Sequence, residues 1–264
     1  MKFRFFEHLK KSKKQYGISL YALKYSGVLR IKTGITLMKL ALFDLDNTLL
    51  NGDSDAAWAS YLIEQNILDP IAHKLENDRF YSDYLNGTLD IHAWLKFQLT
   101  PLTLLPLEKL HALRSDFITR IIQPIILDEG LKAIQHHRQQ GDQLIIITAT
   151  NDFVTEPIAQ LLGITHLIAT QAEKTNNGHY TGRAFGTPAF REGKITRLKQ
   201  WLEKKNQTLT DYTDTWFYSD SHNDIPLLSL VKNPVAVNPD EKLLQHARTL
   251  NWQIVDFKKV GIPI

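Results

Sequence analysis

One short apolar run, residues 40–43, constrains the fold more than any other feature, because it stops abruptly at two acids. Asp44 and Asp46 follow it, separated by a single leucine. An apolar run of this length is typical of a parallel strand that is buried on both faces. The carboxyl ends of such strands form the edge at which α/β sheets bind ligands. We therefore predict that this run opens an α/β core and delivers two carboxylates to a site.

Beyond Pro124, apolar runs alternate with segments of helical spacing, which predicts a parallel sheet connected by crossover helices. The turn Asn176-Asn177-Gly178 is expected to join two antiparallel strands, because Asn-Gly tolerates the positive φ angles of hairpin turns. The predicted strands are 143–147, 166–170, 215–219, 235–238 and 252–257, and the predicted helices are 129–140, 153–162, 194–204, 225–231 and 240–250.

Residues 54–124 interrupt this alternation. Their large apolar residues recur at helical spacing, as in Trp58, Tyr61 and Leu62, and no convincing strand is found there. The predicted fold class is therefore α/β, a Rossmann-like parallel sheet formed by 38–53 and 125–264 with an all-helical insertion at 54–124.

The first 37 residues differ from the remainder in charge. They hold nine of the 31 Lys and Arg residues but one of the 28 acids. A secretory signal is disfavoured, because the charge-free stretch is short and no A-x-A-like cleavage site follows. A basic amphipathic segment that contacts membrane or nucleic acid is one interpretation, with Phe3, Phe5, Phe6 and Leu9 on an apolar side. We favour a poorly ordered extension that is not native, with translation starting at Met38.

Composition excludes several classes of function. The chain has no cysteine, which excludes disulfides, thiolate nucleophiles and cysteine-ligated zinc or iron–sulfur sites. No run approaches the ~18–20 apolar residues that span a bilayer, so no stable membrane insertion is expected. We expect a cytoplasmic enzyme without a nucleic-acid partner.

Two further acids, Asp220 and Asp224, follow a later predicted strand. If they converge with Asp44 and Asp46, each close pair of carboxylates costs about 4 kcal/mol at an effective dielectric near 20. Such a cluster requires a cation, and carboxylates without cysteine or paired histidines favour Mg²⁺ over Zn²⁺. The alternatives are helix or turn capping by Asp46 or Asn47 in the first segment, and capping of the helix that starts near residue 225 by Asp224 in the later one. His222 is interpreted as a loop residue.

Two more polar residues stand where a phosphate could be held. Thr148 ends a predicted strand just before a helix, a corner at which a hydroxyl and backbone amides often bind anions. Lys194 starts a predicted helix and could neutralise a phosphoryl oxygen. Taken singly both are weak signals, because a threonine at a strand end is commonplace and most such lysines are solvated.

Together and in this order, these segments resemble the four motifs of the haloacid-dehalogenase superfamily, over roughly residues 39–237. The helical insertion resembles the cap domain of its phosphoserine-phosphatase-like subfamily IB. The stretches FDLDNTLLNGDSD, IIITATNDFVTEPIA, TPAFREGK and YSDSHNDIPLL are similar to a bacterial branch that includes histidinol-phosphate phosphatases. One departure is serine at 219 and 221, where relatives often have glycine.

The resemblance implies a Mg²⁺-dependent phosphomonoesterase that works through an aspartyl-phosphate. Asp44 would be the nucleophile and a metal ligand, and Asp46 the general acid and base that also ligates through its carbonyl. Asp220 would bind the metal, and Asp224 would bind it through water or orient the lysine. Thr148 and Lys194 would be catalytic residues. Substrate contacts would come from Thr48, Ala149 and Asn223.

The substrate is expected to carry an amino group. Phosphoserine phosphatases have an acid nine residues after the nucleophile that meets this group, and that position is Asp53, although helix capping explains the residue equally well. We place histidinol phosphate ahead of phosphoserine, whose carboxylate would need a cationic partner such as Arg79 or Lys74. Transfer of the phosphoryl group to another acceptor and a non-catalytic binding module are the alternatives, the second disfavoured by the complete set of acids.

Overall fold

The computed structural model describes residues 18–21, 32–35, 38–86 and 88–258. The chain divides into two compact units, Met1–Met38 and Lys39–Ile264. In the first, strands β1 (Ile18–Tyr21) and β2 (Lys32–Ile35) form an antiparallel pair, which the sequence did not predict. The other expectations for the basic extension, including its apolar side, lie outside the described residues.

The second unit contains the predicted parallel sheet. Its seven strands run in the order β6-β5-β4-β3-β7-β8-β9, and all neighbours are parallel except β5 and β6, which are antiparallel across the predicted Asn-Gly turn. The mixed α/β class is therefore confirmed. The strands are β3 (Lys39–Phe43), β4 (Gln143–Asn151), β5 (His166–Lys174), β6 (Tyr180–Phe185), β7 (Asp214–Ser219), β8 (Asn233–Val237) and β9 (Gln253–Val255).

Nine α-helices are described alongside the sheet. None of the helices in the described part of the chain has the length and hydropathy needed to span a bilayer. They are α1 (Ser54–Glu64), α2 (Pro70–Leu85), α3 (Ile91–Leu99), α4 (Leu107–Phe117), α5 (Asp128–Gln139), α6 (Asp152–Leu161), α7 (Glu192–Glu203), α8 (Ile225–Leu228) and α9 (Glu241–Thr249).

Helices α1 to α4 form the insertion, and the described residues between 54 and 124 contain no strand. The two ends of the insertion are joined by an isolated antiparallel bridge between Leu50 and Ile126. Backbone hydrogen bonds extend this junction, since Asn51 N donates to Ile125 O at 2.7 Å. The chain thus leaves and re-enters the sheet region at one point, although the division into separate core and cap domains stays a prediction.

Strand β3 lies at the centre of the sheet, between β4 and β7. Leu40, Ala41, Leu42 and Phe43 have no exposed surface, which explains why the run is apolar without alternation. Burying each large side chain contributes about 1.5–3 kcal/mol. This strand therefore holds the residues that follow it at a fixed position on the carboxyl edge of the sheet.

A buried polar network ties helix α5 to the sheet beneath that edge. The ring of His137 contacts Asp142 Oδ2 through Nδ1 at 2.7 Å and the Tyr218 hydroxyl through Nε2 at 2.8 Å. Burial lowers the pKa of His137, so the neutral ring donates from Nδ1 and accepts the tyrosine proton at Nε2. The backbone of Tyr218 in turn accepts a hydrogen bond from Asp44 N at 2.9 Å.

This network predicts the effect of replacing Tyr218 by phenylalanine. The variant leaves a buried histidine nitrogen without its partner, which should lower the free energy of unfolding by about 1–3 kcal/mol. Tyr81→Phe is the control, because Tyr81 is 62% exposed and its change should stay within about 0.5 kcal/mol. Urea denaturation measures both, and equal losses would contradict the role given to the network.

Candidate active site

The sequence segments singled out for chemistry meet at the carboxyl edge of the sheet. Phe43 pairs with Ile146 of β4 on one side and with Tyr218 of β7 on the other. Residues that follow these three strands therefore lie side by side. Asp44 and Asp220 directly follow β3 and β7, as the strand pattern predicted, whereas Thr148 lies inside β4, which continues to Asn151 instead of ending at Ile147.

The centre of the site is a buried lysine held between two carboxylates. Lys194 is 4% exposed, and its Nζ donates to Asp44 Oδ1 at 2.8 Å and to Asp224 Oδ2 at 2.6 Å. Ser219 Oγ also donates to Asp224 Oδ2, at 2.7 Å. Burial alone would lower the pKa of the lysine, but the two carboxylates raise it above its ordinary value. The ammonium therefore stays charged at neutral pH, and it is buried and paired with two carboxylates, not solvated as in the alternative interpretation.

A tight turn before helix α7 positions this lysine. Arg191 adopts a positive φ of 51°, and Gly193 follows it. A side chain at Gly193 would collide with the carbonyl oxygen of Pro188. Glycine is required here because the chain crosses itself closely, and this crossing aims Lys194 inward.

Asp46, two residues after Asp44, has different hydrogen-bond partners. Its carboxylate accepts hydrogen bonds from Ser54 N through Oδ1 and from Thr150 Oγ1 through Oδ2, both at 2.7 Å. Burial and the nearby charge of Asp53 raise the pKa of Asp46 to about 7. A carboxyl with this pKa can hold or release a proton near neutral pH.

Asp220 completes the acidic group at the sheet edge. Burial, followed by the charges of Asp44 and Asp224, raises its pKa to about 8. The hydroxyl of Thr48 donates to Asp220 Oδ1 at 3.3 Å, so this predicted substrate contact joins the first motif to the fourth. In the described part of the chain, Asp44, Asp220 and Asp224 thus lie near a single cation, Lys194. When all three are ionised, their negative charge exceeds the positive charge of the lysine.

A magnesium ion would balance the excess negative charge of these carboxylates. Mg²⁺ typically takes one or two carboxylates and keeps several waters, and all the donors at this edge are oxygen atoms. No group of three or more His, Asp or Glu side chains in the described residues forms a metal cage by itself. The donor set therefore suits a partly hydrated Mg²⁺ better than a fully coordinated zinc ion.

The other predicted residues divide between the site and the surrounding turns. Asp53 is the N-cap of α1, where its Oδ1 accepts from Ala56 N at 2.9 Å, so the capping interpretation is confirmed for this residue. For Asp224 the capping interpretation is wrong, because its side chain makes no cap bond to α8 and binds Lys194 instead. Thr148 is buried, and its Oγ1 accepts from Thr150 N at 3.2 Å.

The fourth segment forms a short turn after β7. Asn223 accepts a hydrogen bond from Arg191 Nε at 3.0 Å. His222 stands in the same turn, with its Nδ1 2.7 Å from Asp240 Oδ2. It is thus a loop residue tied to the start of α9, as interpreted from the sequence.

A cavity of about 410 Å³ adjoins this edge. Ala149 and Asn223 line it from the sheet side, whereas helices α1 to α3 contribute acids and aromatic rings, among them Asp55, Phe80 and Trp94. The sequence pattern did not single out Asp55, although it lies two residues after Asp53 in the stretch GDSD.

Comparison with known proteins identifies the family. The sequence profile of the haloacid dehalogenase-like hydrolases matches residues 41–229. The chain belongs to this family. It is 47% identical over 222 residues, 84% of the chain and 100% of the relative, to a histidinol-phosphatase of Neisseria meningitidis. A phosphoserine phosphatase of Mycobacterium tuberculosis is 31% identical over 87% of the chain and 76% of the relative. The predicted class of haloacid dehalogenase-type phosphatase is thereby confirmed.

Solved structures agree on the fold of this haloacid dehalogenase-type phosphatase. A Bordetella pertussis protein of unknown function superposes with a TM-score of 0.80 at 41% identity and covers 84% of the chain and 100% of its own. A phosphoserine phosphatase with a phospho-aspartyl intermediate analogue superposes with a TM-score of 0.58 at 20% identity, covering 84% of the chain and 94% of its own. The second likeness concerns the fold alone.

The buried lysine predicts a pH-dependent loss of stability. In Lys194→Met the two carboxylates lose their cation, and the free energy of unfolding at pH 7 should fall by about 3–5 kcal/mol. The difference in the free energy of unfolding between wild type and variant should be smaller at pH 5. Burial raises the pKa of Asp44 to about 6 although the lysine lowers it, so loss of the lysine should raise this pKa further. The folded variant then binds protons more readily than the folded wild type, and lowering the pH stabilises the variant more.

Urea denaturation at pH 7 and pH 5 measures this difference. Lys199→Met is the control, because Lys199 is exposed on the same helix and should cost less than about 0.5 kcal/mol at either pH. A deficit in Lys194→Met that is unchanged or larger at pH 5 would contradict the electrostatic explanation.

Proposed function

We propose that the protein is a Mg²⁺-dependent phosphomonoesterase that acts through an aspartyl-phosphate on a small amino-bearing metabolite, with histidinol phosphate as the favoured substrate. The observation that carries this proposal is the pairing of a lysine-bound aspartate at the sheet edge with an adjacent acidic and aromatic cavity. The first element suits attack on a phosphate, and the second suits a cationic leaving group.

Asp44 is proposed as the nucleophile. Lys194 binds its Oδ1, which leaves Oδ2 to attack phosphorus. A bond forms between Oδ2 and phosphorus as the bond from phosphorus to the ester oxygen breaks, and the lysine neutralises charge that develops on the phosphoryl oxygens. The same ammonium then stabilises the acyl phosphate until water cleaves it.

Asp46 is proposed as the group that moves the proton. With a pKa of about 7, its carboxylic acid can protonate the leaving alkoxide, and the resulting carboxylate can then remove a proton from the attacking water. The hydrogen bonds from Ser54 and Thr150 fix its orientation. One residue thereby serves both halves of the reaction, because its protonation state alternates between them.

The metal site is proposed to consist of Asp44, Asp220 and the backbone carbonyl of Asp46. Bound there, Mg²⁺ would supply positive charge to the phosphoryl oxygens. The chain's own contribution is to hold Asp220 close to Asp44, as its raised pKa indicates, and to keep Thr48 bonded to it. Asp224 is proposed to orient Lys194 rather than to bind metal directly, and Thr148 to contact the phosphate.

The cavity supports an amino-bearing substrate without a carboxylate. Asp53 and Asp55 line it, and no Lys or Arg does so among the described residues. The two cations considered as carboxylate partners already have acidic partners, since Lys74 pairs with Asp78 and Arg79 with Glu76. Arg79 also lies over the ring of Phe80, but it does not itself line the cavity. Histidinol phosphate, whose leaving group is cationic and has no carboxylate, fits this lining better than phosphoserine does.

Residues 54–124 are proposed to act as a cap over the site. Phe80 and Trp94 of this insertion line the cavity together with Phe190 of the core. Closure of such a cap excludes bulk water while the phosphoryl group is transferred. The core would then comprise 38–53 and 125–264, as the sequence predicted.

The substrate assignment predicts a preference that steady-state kinetics can measure. With Mg²⁺ present, kcat/KM for histidinol phosphate should exceed that for phosphoserine by about tenfold or more, because the serine carboxylate finds no partner in the cavity. Chelation of the metal should abolish turnover of both compounds. Equal rates, or a preference for phosphoserine, would contradict the assignment.

The mechanism predicts that Asp44→Asn abolishes phosphate release, since an amide cannot form the acyl phosphate. Acid quenching of the wild-type enzyme during turnover should leave a phosphoryl group on Asp44, detectable by mass spectrometry of the peptides. Lys199→Met, a change at an exposed position of helix α7, is the control and should leave phosphate release unchanged. Phosphate found on any other residue would contradict the proposed nucleophile.

A further inference from the structure

Asp53, the acid that the family resemblance assigns to the substrate's amino group, has a local structural task. Its Oδ1 accepts the hydrogen bond from Ala56 N that caps helix α1. The residue is exposed to solvent. A charge in such a position is screened by water, which weakens its attraction for a ligand.

Asp55, in the first turn of the same helix, is better placed. It is partly buried and lines the cavity. Its Oδ1 accepts from Asn151 Nδ2 at 2.8 Å, and Asn151 is only 2% exposed. The amide oxygen of that asparagine accepts from Val154 N at 3.2 Å, so the amide is fixed in the orientation that donates to Asp55.

The second oxygen of Asp55 has no hydrogen-bond donor among the described residues, and no cation in that part of the chain forms an ion pair with it. Burial, with the charges of Asp53 and Asp46, raises the pKa of this carboxyl well above its ordinary range. A cation in the cavity would reverse that shift, because it stabilises the carboxylate form.

Aromatic rings of the inserted helices line the same cavity as this acid. Phe80 of α2 and Trp94 of α3 both line the cavity, and their rings meet edge to face at 5.3 Å. Aromatic faces attract cations as well as apolar groups. The cavity therefore combines one partly buried, oriented carboxylate with an aromatic wall.

We propose that Asp55, held in place by Asn151, binds the cationic group of the substrate in the cavity that Phe80 and Trp94 also line, whereas Asp53 caps helix α1. This inference rests on the proposed function and assigns its specificity to Asp55 instead of Asp53, the acid that the family resemblance indicates. The substrate class is a phosphomonoester whose leaving group is cationic, partly apolar and free of carboxylate.

The test compares Asp55→Asn with Asp53→Asn, two variants that remove the same charge two residues apart. Each is assayed with histidinol phosphate and with p-nitrophenyl phosphate, which has no amino group. In Asp55→Asn, kcat/KM for histidinol phosphate should fall about 10- to 100-fold, chiefly through KM, because a charge-assisted hydrogen bond is lost. The fall for p-nitrophenyl phosphate should be at least about tenfold smaller.

Asp53→Asn should preserve the ratio of the two kcat/KM values, since asparagine caps helices as well as aspartate does. Thermal unfolding midpoints establish that each variant is folded. Asp55→Ser replaces Asp55→Asn in the same comparison if the asparagine variant does not fold.

Two results would overturn this inference while leaving the proposed function intact. One is an equal loss on both substrates in Asp55→Asn, and the other is a selective loss in Asp53→Asn alone. A wild-type enzyme that hydrolyses p-nitrophenyl phosphate but not histidinol phosphate would instead refute the proposed substrate, and the inference would fail with it.

Discussion

The site depends on one buried ammonium group between two carboxylates. Lys194 joins Asp44, directly after the central strand, to Asp224, directly before the helix α8 that follows β7. Removing these three charges from water is costly, and that cost is offset only when all of them meet at hydrogen-bond distance. The loop after β3, the turn before α7 and the turn after β7 must therefore hold their relative positions.

Around that ion pair, neighbouring carboxyls acquire different properties. Asp44 is bound by the lysine, whereas Asp46 is bound by a backbone amide and a threonine hydroxyl. Their pKa values reach about 6 and about 7, and that of Asp220 about 8. The environment thus gives carboxyls of the same type different pKa values, and the proposed roles in attack, proton transfer and metal binding are assigned on this difference.

The inserted helices are coupled to this chemistry through the first turn of α1. Ser54 N donates to the carboxylate of Asp46, while Asp55, one residue further on, lines the cavity. The bridge between Leu50 and Ile126 closes the base of the insertion. A shift of α1 on ligand binding would therefore change the hydrogen bond from Ser54 N to Asp46, the residue proposed to move the proton. This hydrogen bond would then link substrate binding to catalysis.

The sequence by itself determined the α/β class, the central strand and the acids at its end. Burial on both faces demands an uninterrupted apolar run, and the side chains directly after parallel strands gather at one sheet edge. The tertiary structure decided which hydrogen-bond partner each of these aspartates has, because the local sequence pattern allows more than one. Whether Asp224 caps a helix or binds Lys194, and whether Asp53 or Asp55 is held by Asn151, depends on contacts between segments far apart in the chain. Aspartates at a helix start look alike in sequence, and only packing distinguishes their partners.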